Sequence, residues 1–79
     1  MNPRVKEVKA LDNYLLQLEF ENGQKGFFSM LPYLQYPVFQ PLMDTTFFKN
    51  AHATMGFVSW NDEIDMSPDT LYLECKMSA

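Results

Sequence analysis

Apolar and polar residues alternate most cleanly between Tyr14 and Glu21, where Tyr14, Leu16, Leu18 and Phe20 are interleaved with Leu15, Gln17, Glu19 and Glu21. A period of two places the even-numbered residues on one face of a strand. The pattern breaks at Glu21-Asn22-Gly23-Gln24 and resumes towards Ser29, so residues 14–29 are expected to form a β-hairpin. Asn-Gly at the break predicts a type I′ turn, because both central residues of that turn need positive φ and Asn and Gly tolerate it best. Val5 to Leu11 reads as a preceding strand with Val5, Val8, Ala10 and Leu11 apolar; its broken alternation suggests a bulge or an edge position. Arg4, Lys6, Glu7 and Lys9 are charges of the kind that discourage open-ended pairing at an edge. With a tight turn at Asp12-Asn13, the first 29 residues are predicted to be a three-strand antiparallel meander.

Beyond Ser29 the period changes. Ser29 is placed to cap a short helical turn over Met30-Leu31-Pro32-Tyr33-Leu34, with Pro32 in the first turn, where a missing amide hydrogen costs little. Pro37 and Pro41 exclude a long helix, and Val38 to Leu42 is read as an extended or turn-like segment that plugs the core. Asp44 is expected to cap one further turn through Thr45-Thr46-Phe47-Phe48. Ala51 to Met55 and Phe57 to Trp60 flank Gly56 as one bent strand or two short ones. Asn61-Asp62-Glu63 forms a turn, and Ile64-Asp65-Met66 returns along the previous strand. Ser67, Pro68 and Asp69 then open a helix running to about Lys76, with Leu71, Tyr72 and Cys75 on one stripe. The expected fold class is α+β: an antiparallel sheet built on the N-terminal meander, short helical turns in the middle, and one C-terminal helix packed on the sheet.

Seventy-nine residues make a single domain, 1–79, and a chain of this size buries only about 60 % of the surface its unfolded form exposes. The hydrophobic fraction of 47 %, with seven Phe, four Tyr and one Trp, supplies a core and argues against disorder. The single cysteine, Cys75, forms no internal disulfide, so a reducing compartment is expected. No apolar run at the N-terminus suits a signal peptide and no window suits a membrane span, which makes a cytoplasmic location the expectation.

The formal charge is −4 and unevenly spread. Arg4, Lys6, Lys9 and Lys25 balance Glu7, Asp12, Glu19 and Glu21, whereas Asp62, Glu63, Asp65, Asp69 and Glu74 meet no basic residue before Lys76. Such an edge repels phosphates and attracts a basic partner, so direct nucleic-acid binding is disfavoured.

The order Val5, Val8, Tyr14 to Phe20, Asn22-Gly23, Phe28 to Leu31, Phe39, Leu42-Met43-Asp44, Phe47, Gly56 to Trp60 and Ile64 to Tyr72 resembles the small prokaryotic domain-of-unknown-function 2442 family over nearly the whole chain. The most specific part is the ending from Trp60 to Tyr72, with its polar turn and Asp65-Met66-Ser67-Pro68-Asp69-Thr70-Leu71-Tyr72. Ser29 stands where the family often has Asp, and the stretch Gln24-Lys25-Gly26-Phe27 is less charged than usual. The resemblance implies a compact α+β domain, found alone or fused to a helix-turn-helix and often encoded beside small toxins, and so an antitoxin-like or regulatory role. No helix-turn-helix follows within these 79 residues, so a direct repressor role is not expected.

Candidate chemistry is sparse. His52 is the one histidine, and no Cys/His or Ser/His spacing gives it a nucleophile to activate. Asn61, Asp62, Glu63, Asp65 and Asp69 supply many oxygens, but an EF-hand loop starting at Asn61 would need Gly at its sixth position and Glu at its twelfth, where Met66 and Tyr72 stand. Gly23, Gly26 and Gly56 fit no phosphate-binding spacing. The expectation is therefore no enzyme, no metal and no cofactor.

What remains is an aromatic series from Tyr33 to Trp60. Most of it is read as core; the functional reading keeps Tyr33, Tyr36 and Trp60 partly exposed as anchors beside the acids Asp62 and Glu63, a surface suited to a basic protein partner. The expected function is a non-catalytic interaction or regulatory module. A small ligand-binding protein or enzyme with its site at a homodimer interface is the alternative.

Overall fold

Leu16, Leu18 and Phe20 project from one face of a strand and are fully buried, as alternation requires. Each contributes about 1.5–3 kcal/mol by leaving water. The computed structural model describes residues 2–77. Its N-terminal part is the expected meander: β1 (Val5–Leu11), β2 (Leu15–Phe20) and β3 (Lys25–Ser29), paired antiparallel in sequence order. The register of β1 against β2 slips between Val5 and Glu7, which places a bulge at Lys6, and β1 lies at one edge of its sheet.

Turn chemistry departs from expectation. Tyr14 belongs not to the strand but to a tight turn over Asp12–Tyr14, in which Asn13 and Tyr14 both have positive φ. At Asn22-Gly23 only the glycine is left-handed (φ 89), so the expected type I′ turn is replaced by a three-residue loop. There the Gly23 amide donates to the Phe20 carbonyl and the Phe20 amide to the Gln24 carbonyl. Asn22 serves through its side chain instead, accepting from the Gln24 amide at 3.0 Å.

The middle of the chain is short helical turns. Leu31–Tyr33 forms one 3-10 turn, and the Ser29 hydroxyl accepts from the Leu31 amide at 3.2 Å. Pro37–Met43 is a second 3-10 segment, the turn-like form of the two expected over Val38 to Leu42. Proline sets the φ that a helical turn uses, and the looser donor demand of short 3-10 turns accommodates Pro41. Of that segment Leu42 is buried, Phe39 is half-buried, and Val38 is exposed. Asp44 caps α1 (Thr45–Phe48), accepting from the Thr46 amide at 2.9 Å.

The remaining strands form a second sheet, with β4 (His52–Thr54), β5 (Phe57–Ser59) and β6 (Asp65–Met66) antiparallel in sequence order. The two short strands around Gly56 meet at a Met55-Gly56 turn whose φ values are 52 and 89, so the geometry expected at Asn22-Gly23 occurs here. Ser67 caps α2 (Pro68–Glu74) by accepting from the Thr70 amide. The helix ends at Glu74 rather than near Lys76. Lys76–Met77 instead pairs with Phe27 and Gly26 as β7, making the first sheet four-stranded in the order β1-β2-β3-β7.

One contiguous core joins both sheets, with Leu16, Leu18, Phe20, Phe28, Met30, Leu42, Phe48, Val58, Trp60 and Leu71 among its members. The C-terminal helix covers the first sheet through Leu71 and through Tyr72, whose ring meets Phe20 edge-on at 5.1 Å. No described helix is long and apolar enough to cross a membrane.

Candidate interaction surface

The segment from Leu31 to Met43 is held rigidly and offers its apolar side chains outward. Three prolines limit its backbone freedom, and a chain of short-range bonds fixes it: Leu34 amide to Leu31 carbonyl, Tyr36 to Tyr33, Phe39 to Tyr36, and Asp44 to Pro41. Leu42 anchors it in the core, and the Tyr14 hydroxyl donates to the Met43 carbonyl. Leu31, Tyr36, Val38 and Met43 nevertheless are each half exposed or more. Scattered exposure of such residues is ordinary, but four within thirteen residues of one rigid segment is a concentrated apolar surface.

Tyr33 sits at the centre of an aromatic group. Its ring lies 5.5 Å from Phe28, 6.1 Å from Phe39 and 6.2 Å from Tyr36. Its hydroxyl donates to Glu74 at 2.6 Å, tying this segment to the end of α2. That bond, helped by burial and by the nearby negative charge, pushes the phenol from 10.0 up to about 12. Beside it runs a groove of about 300 Å³ between Pro32-Tyr33, the Phe27–Ser29 end of β3, and Glu74 with Lys76.

The sequence-derived site residues do not form one patch. Tyr33 and Tyr36 do meet, and Tyr36 is 50 % exposed. Trp60 is only 4 % exposed, which corrects its reading as a surface anchor: its indole donates to the Phe48 carbonyl inside the core. Asp62 and Glu63 are exposed on the turn after β5, where the Asn61 side chain accepts from the Glu63 and Ile64 amides at 2.8 Å each. Among the described residues no hydrogen bond, ion pair or ring contact joins them to Tyr33 or Tyr36. Leu31, Val38 and Met43 were not singled out by the sequence; the available signal was apolar residues interleaved with Pro32, Pro37 and Pro41 without a period of two or 3.6.

Other reactive groups lie apart from this surface or are muted. His52 is exposed on β4, its Nδ1 3.0 Å from the Asn50 carbonyl oxygen. Burial pushes the Cys75 thiol up, which lowers its thiolate fraction. No group of three His, Cys, Asp or Glu among the described residues converges as metal ligands would.

An α+β domain, with seven strands in two sheets among the described residues and a proline-braced apolar segment, is the class of protein that these features define. The chain belongs to the family described as protein of unknown function (DUF2442), whose family model matches residues 5–77. No curated protein and no solved structure matches it.

Proposed function

We propose that this chain is a non-catalytic protein-interaction module, the regulatory or antitoxin-like partner of a small basic protein, and that Leu31 to Met43 is its contact segment. One observation carries the reading: a segment braced by three prolines leaves Leu31, Tyr36, Val38 and Met43 each half exposed or more and outside the core cluster. Such preorganised apolar side chains bind with little further ordering cost, and Tyr is among the residues that dominate binding hot spots. The net charge of −4 and the exposed Asp62-Glu63 turn favour a basic partner through long-range attraction.

The test is co-purification from the native host of the wild-type chain and of a Val38→Asp/Met43→Asp variant, with circular dichroism of both. A basic protein recovered in fixed ratio with the wild type and lost from the folded variant supports the reading. Equal recovery by both, or no companion with the wild type, contradicts it.

A further inference from the structure

We propose that the outer face of the β4-β5-β6 sheet, centred on Met55 and Phe57, is an interface between two copies of this chain. The inner face of that sheet is committed to the core through Ala53, Val58 and Met66. On the outer face, cross-strand pairing sets the exposed Thr54 beside the exposed Phe57, and the exposed Asp65 beside Ser59, which is itself buried. These residues, with Arg4 and Met55, line an open groove of about 360 Å³. It shares no residue with the Leu31–Met43 segment, so the inference stands apart from the function proposed above.

One observation marks this face as a contact surface, and a second, independent one points to a second copy as its occupant. The first is Met55, which is 84 % exposed and has a φ of 52. Asn or Gly fills such a turn position with less strain, and a methionine there gains almost no burial within its own chain. Its unbranched thioether adapts readily to a facing surface, and Phe57, also exposed, extends the apolar centre.

The second is the charge layout. The aliphatic stem of Arg4 lies against Gly56, where an added Cβ would come within 2.9 Å of it or less, so the Arg4 side chain leaves the backbone at the turn end of the groove. Asp65 lies towards the opposite end, across from Ser59 and two residues along β5 from Phe57. Among the described residues neither side chain has a hydrogen bond or ion pair. One cation, beside Met55 at the turn, and one anion thus stand on either side of Phe57. A two-fold axis near Phe57 sets each Arg4 against the other copy's Asp65, the self-complementary arrangement that an isologous contact requires. A partner of single-signed charge would meet a like charge at one end.

The test is sedimentation of the full chain over a concentration series. The wild type is expected to sediment at twice the chain mass at its upper concentrations. Arg4→Asp and Asp65→Arg should each weaken association at least about tenfold, because each places like charges face to face. The double variant R4D/D65R should recover it, since the opposed pairs are restored with signs exchanged. Met55→Asn keeps the turn geometry, so it should weaken association while the thermal melt of the monomer is unchanged or raised. A monomer at every concentration up to about 1 mM overturns the proposal. So does a dimer indifferent to both single charge variants and to Met55→Asn, or a charge loss that the double variant fails to recover.

Discussion

The Trp60 indole Nε1 donates a 2.9 Å hydrogen bond to the backbone carbonyl oxygen of Phe48, and the two rings lie 6.2 Å apart. The last carbonyls of a helix lack partners within it, so the indole satisfies part of what the four-residue α1 leaves open, together with the Ala51 amide. This bond binds the end of the second sheet to the helical middle of the chain.

Replacement of Trp60 by Phe should therefore cost roughly 1–3 kcal/mol, from a lost buried hydrogen bond and lost ring volume, read by urea denaturation. In the same native protein, Trp60 fluorescence should resist quenching by acrylamide until the chain unfolds. Quenching equal to that of the unfolded chain would place the indole in water.

The even face of β2 carries much of the stability. Leu16→Ala or Leu18→Ala should each cost roughly 2–5 kcal/mol, a large share of what so short a domain possesses. Gln17→Ala, on the exposed face, should stay within about 0.5 kcal/mol. Losses below about 1 kcal/mol at both leucines would mean that the buried face is the other one.

Tyr33 gives the chain an alkaline dependence. Its phenol is held protonated more strongly in the folded chain, about 12 against 10.0, so the folded state binds the proton more tightly than the unfolded state. The resulting stabilisation is present below pH 10 and disappears as the pH rises towards about 12. The absorbance difference between the wild type and Tyr33→Phe should titrate late, and Glu74→Gln should move that titration back towards 10.0. An unchanged midpoint in Glu74→Gln would remove the carboxylate as the cause.

At Gly26 the chain leading into β7 approaches β3 closely. A Cβ there would stand 2.9 Å from the Lys76 carbonyl oxygen and 3.1 Å from the Cys75 sulfur. Gly26→Ala should cost about 1–3 kcal/mol and expose the β7 amides to faster hydrogen exchange, with β1 and β2 unaffected. Protection retained throughout β7 would contradict this close approach.

The legible parts of the sequence were those with local and repeated signals. Alternation over residues 15–20 marked the buried face of β2, and Ser67-Pro68-Asp69 marked the start of α2, because period and capping act within a few residues. Lys76–Met77 was invisible as a strand, since two residues have no period and their pairing depends on the distant Gly26. The φ values at Met55 and Asn22 ran against residue preference, because strand pairing on either side chose the turn. The partial exposure of Tyr36 agrees with its residue type, whereas the fate of Trp60 depended on a carbonyl twelve residues earlier that only the folded chain brings near.

The proposed role of Leu31 to Met43 is tested most directly by a photo-crosslinking residue placed at position 38 in the native host, with the same residue at position 6 on the bulged edge of β1 as the comparison. Crosslinks at position 38 to one basic protein, with none at position 6, are expected. Equal crosslinking at both positions, or none at position 38, would contradict that role.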